Sequence, residues 1–417
     1  MLIIPFFSDK SKAFCKLFCK NKKEKSQGGQ AMKILHTSDW HIGKRLMSRE
    51  RLDEQAEVLD EIVEICEREE VDLVLIAGDI FDTYTPSAEA EELFYQKIKK
   101  VAGQERAVLL ISGNHDDGVR LSAAAPLAEE YGIYIVGNDR RVLGKSAKTR
   151  RVYPIESGKG YVLFEKGEEK AYVSLLPYPN EARFKEEKSE LPYIEQMQKW
   201  IAEGESGNTQ GYPSILMAHI FVAGGSVSDG EREIDLGGAR AIPVDALPNS
   251  DYIALGHLHK KQHMGKGNCY YSGSPLQYAF DERADKSVKV FDLTNGGVQN
   301  LHDLPLTKGK KLIRLEANGV EAALELLAQY PDCHVELKLF LTAPLSGTDS
   351  KRLSSKENLV SLLAEVQTDG ALQFESRKGM SDEALFDAFY KAQYGAEARP
   401  ELKTLFLQTL AELSEKQ

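Results

Sequence analysis

From Met32 onward the chain alternates short, largely apolar runs with longer segments whose apolar residues recur every three or four positions. The short runs suit strands buried on both faces, and the longer segments suit helices with one apolar side. Met32-Lys33-Ile34-Leu35-His36, Val71-Asp72-Leu73-Val74-Leu75-Ile76-Ala77 and Ala107-Val108-Leu109-Leu110-Ile111 are of the first kind. Between the first two, Leu52, Leu59, Ile62, Val63 and Cys66 share one side of a helix predicted over residues 49–70. Pro86 is expected in the first turn of a second helix reaching Ala102. Further strands are expected at 133–136, 161–165, 171–176, 214–218, 251–255, 269–272 and 288–293, closely enough spaced to make hairpins. This order predicts an α/β domain over residues 32–307, a two-layered mixed β-sheet sandwich flanked by helices.

Beyond it, Lys308-Gly309-Lys310-Lys311 reads as a hinge. Strand 311–316, helix 319–329, strand 334–341, a helix near 356–366 and a strand near 371–376 predict a smaller α+β capping domain over 308–378. Residues 379–417 turn helical, with Ser381 as N-cap and Asp382 and Glu383 suited to the helix N-terminus. Leu385, Phe386, Phe389 and Tyr390 line one helix there, and Leu402, Leu405, Phe406, Leu410 and Leu413 a second. Helices this short and this apolar must dock on something. Residues 1–31 stand apart, with seven lysines against Asp9 and Glu24, and read as a disordered or mis-called extension ahead of a start at Met32.

The formal net charge is −11, and −16 without that extension. Such a balance argues against a protein that grips nucleic acid through a basic patch, but not against one that meets phosphate through bound divalent ions, whose charge no residue count includes. No apolar run is long enough to span a membrane. Five scattered cysteines, odd in number and without a CxxC pair, imply neither a disulfide framework nor a zinc ribbon and suit a reducing cytoplasm.

The chemistry falls just past the predicted strands. They run into Thr37-Ser38-Asp39-Trp40-His41, Gly78-Asp79-Ile80-Phe81-Asp82, Ser112-Gly113-Asn114-His115-Asp116, His219 and Gly256-His257-Leu258-His259. In α/β sheets the loops past the carboxyl ends of the strands form the ligand crevice, so five loops distant in sequence converge. Asp39 and His41, two apart on an extended segment, are expected to point to one side, and glycines 78, 113 and 256 to let the backbone turn sharply. Mixed nitrogen and oxygen donors suit Mn²⁺ or Fe²⁺ better than Ca²⁺ or thiolate-bound zinc. Lys44, Arg45, Arg120, Lys260 and Lys261 flank these loops, where they could meet the phosphates of a substrate.

In the order D-x-H, GD, GNHD, H, GHxH, these motifs resemble the calcineurin-like metallophosphoesterases over roughly residues 32–300. His36 to Lys44, Gly78 to Asp82, Tyr271-Ser272-Gly273-Ser274-Pro275-Leu276 and Phe280-Asp281-Glu282 narrow the resemblance to the SbcD family of nuclease subunits. The resemblance implies the metallophosphoesterase fold and two divalent ions, Mn²⁺ above Fe²⁺ or Mg²⁺. Asp39, His41 and His259 would hold one ion, Asn114, His219 and His257 the other, and Asp79 would bridge them. It further implies that His115 orients the phosphate or protonates the leaving oxygen, with Asp116 orienting His115. Asp82 stands where archaeal members carry His, so it is given a supporting role. The implied activity is hydrolysis of DNA phosphodiesters, as a 3′→5′ double-strand exonuclease and a single-strand or hairpin endonuclease in end processing, repair and recombination. The implied assembly is a homodimer through the nuclease domain, bound through residues 381–417 to an SbcC-type coiled-coil ATPase. Two rival readings are a phosphodiesterase acting on small or non-DNA phosphoesters and a catalytically silent scaffold for the ATPase.

Overall fold

A computed structural model of the chain describes residues 31–138, 141–143, 150–179, 191–229, 231, 240–265, 267–283, 285–366, 381–394, 398–400 and 402–407. The extension before residue 31, the strand expected near 371–376, and Leu410 and Leu413 lie outside them.

The strands are β1 (Met32–Thr37), β2 (Leu73–Ala77), β3 (Ala107–Ile111), β4 (Ile133–Val136), β5 (Tyr153–Gly158), β6 (Tyr161–Lys166), β7 (Glu169–Leu176) and β8 (Ser214–His219). They continue with β9 (Tyr252–Gly256), β10 (Gln262–His263), β11 (Cys269–Tyr271), β12 (Ser287–Thr294), β13 (Gly297–Pro305), β14 (Lys311–Asn318), β15 (Cys333–Leu341) and β16 (Leu359–Val366). One sheet has the order β13-β12-β1-β2-β3-β4 and the second β10-β11-β9-β8-β7-β6-β5. Both are mixed: β1 to β4 run parallel with β12 antiparallel beside them, and β7, β8 and β9 run parallel in the second sheet.

The two sheets pack face to face. Ile34, Leu73, Leu75 and Leu109 of the first meet Val173, Ile215, Met217 and Ala254 of the second, all fully buried. Helices α1 (Leu52–Arg68) and α2 (Ala88–Ala102) cover the first sheet's other face through Leu59, Ile62, Phe94 and Ile98. Two short helices, α3 (Gly118–Ser122) and α4 (Ala125–Glu130), lead into β4, and α5 (Tyr193–Glu205) covers the second sheet with Met197, Trp200 and Ile201. Strands covered on both faces have no polar side, which is why β2 reads as five consecutive buried apolar residues. Each buried aliphatic side chain contributes on the order of 1.5–3 kcal/mol before chain entropy is subtracted.

Residues 311–366 form a separate three-stranded parallel sheet, β14-β15-β16, with α6 (Val320–Ala328) and α7 (Gly347–Ser354). The helix expected near 356–366 is instead strand β16, preceded by α7. Its apolar residues fit either period, and the parallel ladder with β15, from Val335↔Leu359 to Leu341↔Val366, decides for the strand. Ser346 caps α7, its Oγ accepting the Asp349 N–H at 3.1 Å. A similar cap replaces Pro86 at the start of α2: the Ser87 hydroxyl accepts the Ala90 N–H at 3.3 Å, and Pro86 stays outside the helix. Strand β13 escaped sequence reading because it is exposed along most of its length and takes its conformation from the hairpin with β12. Helix α8 (Asp382–Tyr394) begins as expected, with Ser381 Oγ accepting the Ala384 N–H at 3.3 Å. Phe386 stacks on Phe406 of the helical residues 402–407 at 4.3 Å. No described helix is long and apolar enough to cross a membrane.

The sheets approach each other backbone to backbone beside the crevice. A Cβ on Gly256, at the end of β9, would lie 1.9 Å from the Ala77 carbonyl oxygen at the end of β2. Both partners are backbone, so no side chain can yield. Gly256→Ala is therefore expected to destabilise the fold by about 1–3 kcal/mol in urea denaturation, and a variant as stable as the parent would show that the sheets have room to part.

Candidate metal centre

Strands β1, β2 and β3 of one sheet and β8 and β9 of the other end at the same edge of the sandwich, and each delivers polar side chains there. Asp39, His41, Asp79, Asn114, His219, His257 and His259 are all buried. The backbone turns sharply to aim them, with φ of 54° at Asp39, 44° at His41, 50° at Asp79 and 112° at His257. Left-handed φ at an L-residue costs on the order of 1–3 kcal/mol. The segment from Asp39 to His41 is therefore not extended, as its spacing suggested. Its side chains converge because it coils against the next loop, with Asp39 N–H donating to the Gly78 carbonyl and His41 N–H to that of Asp79, each at 3.0 Å. The glycines also differ from expectation. Only Gly78 takes a left-handed φ, of 89°, whereas Gly113 is needed for space: a Cβ there would lie 2.1 Å from Asp79 Oδ1.

The donors fall into two overlapping groups. Nε2 of His41 lies 3.0 Å from Nε2 of His259, and Asp39 completes that set. Asn114 Oδ1 lies 2.9 Å from His219 Nε2 and 3.0 Å from His257 Nδ1. Between the groups, Asp79 Oδ2 sits 3.4 Å from His41 Nε2 and 3.5 Å from His219 Nε2. Asp39 and Asp79 each turn their other oxygen to the backbone, accepting the N–H of His257 at 2.9 Å and of His115 at 2.8 Å.

This geometry fits bound divalent cations. The Ala77 carbonyl, 2.8 Å from His219 Nδ1, can only accept, so Nδ1 carries a proton and neutral His219 presents an Nε2 lone pair to the Asn114 and Asp79 oxygens. Lone pairs facing oxygens repel unless a second proton or a cation lies between them. Without a cation the site takes the proton. Burial would lower His219, but the Asp79 carboxylate, aided by Asp39 and the Ala77 carbonyl, raises it to about 9. Burial likewise opposes Asp79, yet His219, His41 and His115 hold it well below the usual carboxylate range. Burial prevails at Asp39, pushed up to about 7, and at His257, pushed down to about 3 with help from His219.

The remaining predicted residues fall differently. His115 Nδ1 lies 2.6 Å from the Asp82 backbone carbonyl, and its ring stands 4.6 Å from that of His41 at a right angle. The described hydrogen bonds of Asp116 run to backbone rather than to the His115 ring that the resemblance gave it to orient. Its carboxylate accepts the N–H groups of Gly113 at 2.8 Å, Phe81 at 3.0 Å and Ile80 at 3.1 Å, lacing the second and third loops together. Asp82 Oδ1 lies 3.4 Å from His41 Nδ1 and accepts from Lys44 Nζ at 2.9 Å.

The five flanking cations already face acids. Lys44 meets Asp82, Arg45 meets Glu50, Arg120 meets Glu91 at 2.9 Å, Lys260 meets Asp281 at 3.0 Å, and Lys261 lies 3.5 Å from Asp285 and 3.6 Å from Asp303. None stands over the crevice as an unneutralised charge.

Sequence reasoning missed the groups behind the donors. Glu282 Oε1 lies 3.0 Å from His259 Nδ1, and Glu231 Oε1 accepts the His259 N–H at 2.7 Å. Gln55 Nε2 donates to the His41 carbonyl at 2.8 Å, and Ser38 Oγ donates to Asp39 Oδ2. Glu282 was visible in the Phe280-Asp281-Glu282 motif, but no spacing rule connects it to a histidine 23 residues earlier.

Two buried layers of strands with paired carboxylates, imidazoles and an amide at one edge define a metal-dependent phosphoesterase. The family model for calcineurin-like phosphoesterases matches residues 32–261. The SbcD subunit of nuclease SbcCD from Bacillus subtilis is 34% identical over 404 residues, 92% of this chain and 99% of that one. Its counterpart in Rhodobacter capsulatus is 35% identical over 314 residues, 71% of this chain and 75% of that one. The one in Staphylococcus epidermidis is 28% identical over 369 residues, 86% and 93% respectively. The chain belongs to the calcineurin-like phosphoesterases and, within them, to the SbcD family of SbcCD nuclease subunits.

The raised His219 has a consequence for the metal-free chain. A basic group whose value climbs from 6.5 to about 9 on folding contributes stability that is complete below pH 6.5 and lost as the pH rises through about 9. Urea denaturation in chelator should show a loss on the order of 2–3 kcal/mol across that window. Constant or rising stability would mean that His219 is not charged in the metal-free fold.

Proposed function

We propose that this chain is the nuclease subunit of an ATPase–nuclease complex that hydrolyses phosphodiester bonds of DNA in end processing, repair and recombination. On this reading it acts as a 3′→5′ exonuclease on duplex ends and as an endonuclease on single strands and hairpins. The observation that carries the proposal is the pair of facing donor groups with the Asp79 carboxylate between them, 3.4 Å and 3.5 Å from the nearest imidazole nitrogens. Asp39, His41 and His259 would hold one divalent ion, Asn114, His219 and His257 the other, with Asp79 shared between them. Mn²⁺ suits this mixture of imidazole, carboxylate and amide, with Fe²⁺ or Mg²⁺ as alternatives. When bound, the pair of ions supplies positive charge for the phosphodiester and lowers the pKa of a water.

The chain's own residues do the rest. The Asp82 carbonyl fixes the proton of His115 on Nδ1, and the Asp82 carboxylate lies 3.8 Å from the same nitrogen. His115 orients the phosphate or hands a proton to the leaving oxygen. Asp116 keeps the loops that carry Asp79 and Asn114 in register.

Two surfaces support the partner assignment. Helix α8 and residues 402–407 leave Phe389 60% and Leu405 59% exposed, an apolar face suited to a groove at the base of an SbcC-type coiled-coil ATPase. Around α2 and α4, Phe94, Ile98 and Ile135 line a groove with Tyr95 and Leu127 exposed at its edge, a face suited to a second copy in a homodimer. DNA contact by Lys44, Arg45, Arg120, Lys260 or Lys261 requires each to exchange a carboxylate for a phosphate, so those residues add little net attraction alone. Buried free thiols at Cys66 and Cys269 suit a reducing cytoplasm.

His115→Leu should still bind two Mn²⁺ ions while hydrolysis of a hairpin oligonucleotide falls roughly 10²–10⁴-fold. Loss of metal in that variant would place His115 among the ligands instead. Deleting residues 381–417 should abolish pull-down of the ATPase and leave Mn²⁺-dependent cleavage of single-stranded DNA intact; undiminished pull-down would move the docking surface elsewhere.

A further inference from the structure

The loop between β11 and β12 touches the metal centre at one point and the small sheet at another, and buried polar groups join the two. At the metal end, Glu282 Oε1 faces His259 Nδ1 at 3.0 Å. A carboxylate in this position keeps the proton on Nδ1, so Nε2 presents its lone pair toward His41 and Asp39. The other oxygen of Glu282 accepts from Lys286 Nζ at 2.5 Å, and that ammonium also donates to the His259 carbonyl at 3.0 Å and to Ser274 Oγ at 2.8 Å. His259 is thus held by both ring and backbone from one buried cluster.

At the other end, the Gln277 amide donates to the Glu282 carbonyl at 2.9 Å, and its oxygen accepts the Leu312 N–H of β14 at 3.0 Å. Behind it, Arg51 donates to the Gln277 carbonyl at 2.5 Å and to Glu54, and Glu54 accepts the Lys310 N–H at 2.9 Å and faces His334 of β15 at 2.7 Å. Gln277 and Glu282 are each 5% exposed and Arg51 is 2% exposed. Water therefore cannot substitute for a partner that moves away, and each lost contact leaves an unpaired buried group.

We infer that Glu282 is the positioning residue of His259, and that Gln277 ties it to the small sheet, so that the seating of residues 311–366 sets how firmly one of the two ions is held. The inference rests on the two-ion reading above. It adds that the two ions respond unequally, because Asn114, His219 and His257 make no contact with this loop among the described hydrogen bonds.

The test is calorimetric titration of the full chain with MnCl₂. The parent binds two equivalents. In Glu282→Gln one equivalent keeps the parent affinity and the other weakens roughly 10–100-fold. Because that change leaves Lys286 without its carboxylate, Glu282→Gln/Lys286→Met removes both charges together and is expected to weaken the same equivalent at least as much, the other keeping the parent affinity. Gln277→Met should weaken the same equivalent by less. Equal loss of both equivalents in the single and double variants would mark a purely structural role and overturn the inference, as would two unchanged equivalents in Glu282→Gln. A parent chain that binds no Mn²⁺ would sink the two-ion reading itself, whereas two equivalents in the parent with unchanged variants sink only the role of Glu282.

Discussion

The structure depends on keeping Asp79 ionised in a place that disfavours ions. Its carboxylate is buried at the edge of two sheets, and its chief neutralising partner is the His219 imidazolium rather than a lysine or arginine. Burying an ion costs several kcal/mol, offset only by close and well-oriented partners. Those partners come from separate strands, so the cost falls on the whole sandwich. Four left-handed backbone turns, the space kept at Gly113 and the backbone contact at Gly256 all serve to gather donors around this one group, with His41 and His219 nitrogens 3.4 Å and 3.5 Å from it. A site built this way is unsettled with protons alone, and cations relieve it.

Much of this was legible because the sandwich buries its strands on both faces. Apolar runs with no polar side announced β1, β2 and β3, and the abrupt change to Asp, Asn and His after each run marked the crevice. What was not legible has physical causes. The run Leu359 to Val366 fits either period, and only hydrogen bonds to β15 make it a strand. Strand β13 has no buried face to advertise. The coil at Asp39 and His41 is imposed by the neighbouring loop, so local spacing misread it as extended. Asp116 looked like a partner for the adjacent His115, yet a short carboxylate beside three N–H groups left open by the turning loops is better satisfied by backbone.

The charge balance gains meaning from the paired cations. A chain of net −11 whose five cations flanking the metal loops each face a carboxylate has little diffuse field with which to hold a polyanion. Salt bridges at such exposed positions are worth little, so they do not bar a phosphate, but exchanging one anion for another gains little either. Attraction is then confined to the metal centre, where a few charges act at short range and little screening. On the proposed function, a second copy or a partner supplies the rest by raising the local concentration of DNA at the crevice.

The route by which such a partner could be felt follows from the same burial of polar groups. Among the described hydrogen bonds, His259 is the donor whose ring and backbone are both gripped by the β11–β12 loop, through Glu282 and Lys286. The far side of that loop is fastened to β14 by Gln277 and, through Arg51 and Glu54, to β15. A displacement of the small sheet is poorly absorbed by solvent at these largely buried contacts, or by side-chain flexing, because the guanidinium, amide and carboxylate are each held at more than one atom. It must either break hydrogen bonds worth about 1–3 kcal/mol each or carry the loop along. In the second case the motion ends at the imidazole that stands 3.0 Å from His41, and the first ion site opens while the Asn114, His219 and His257 set stays in place.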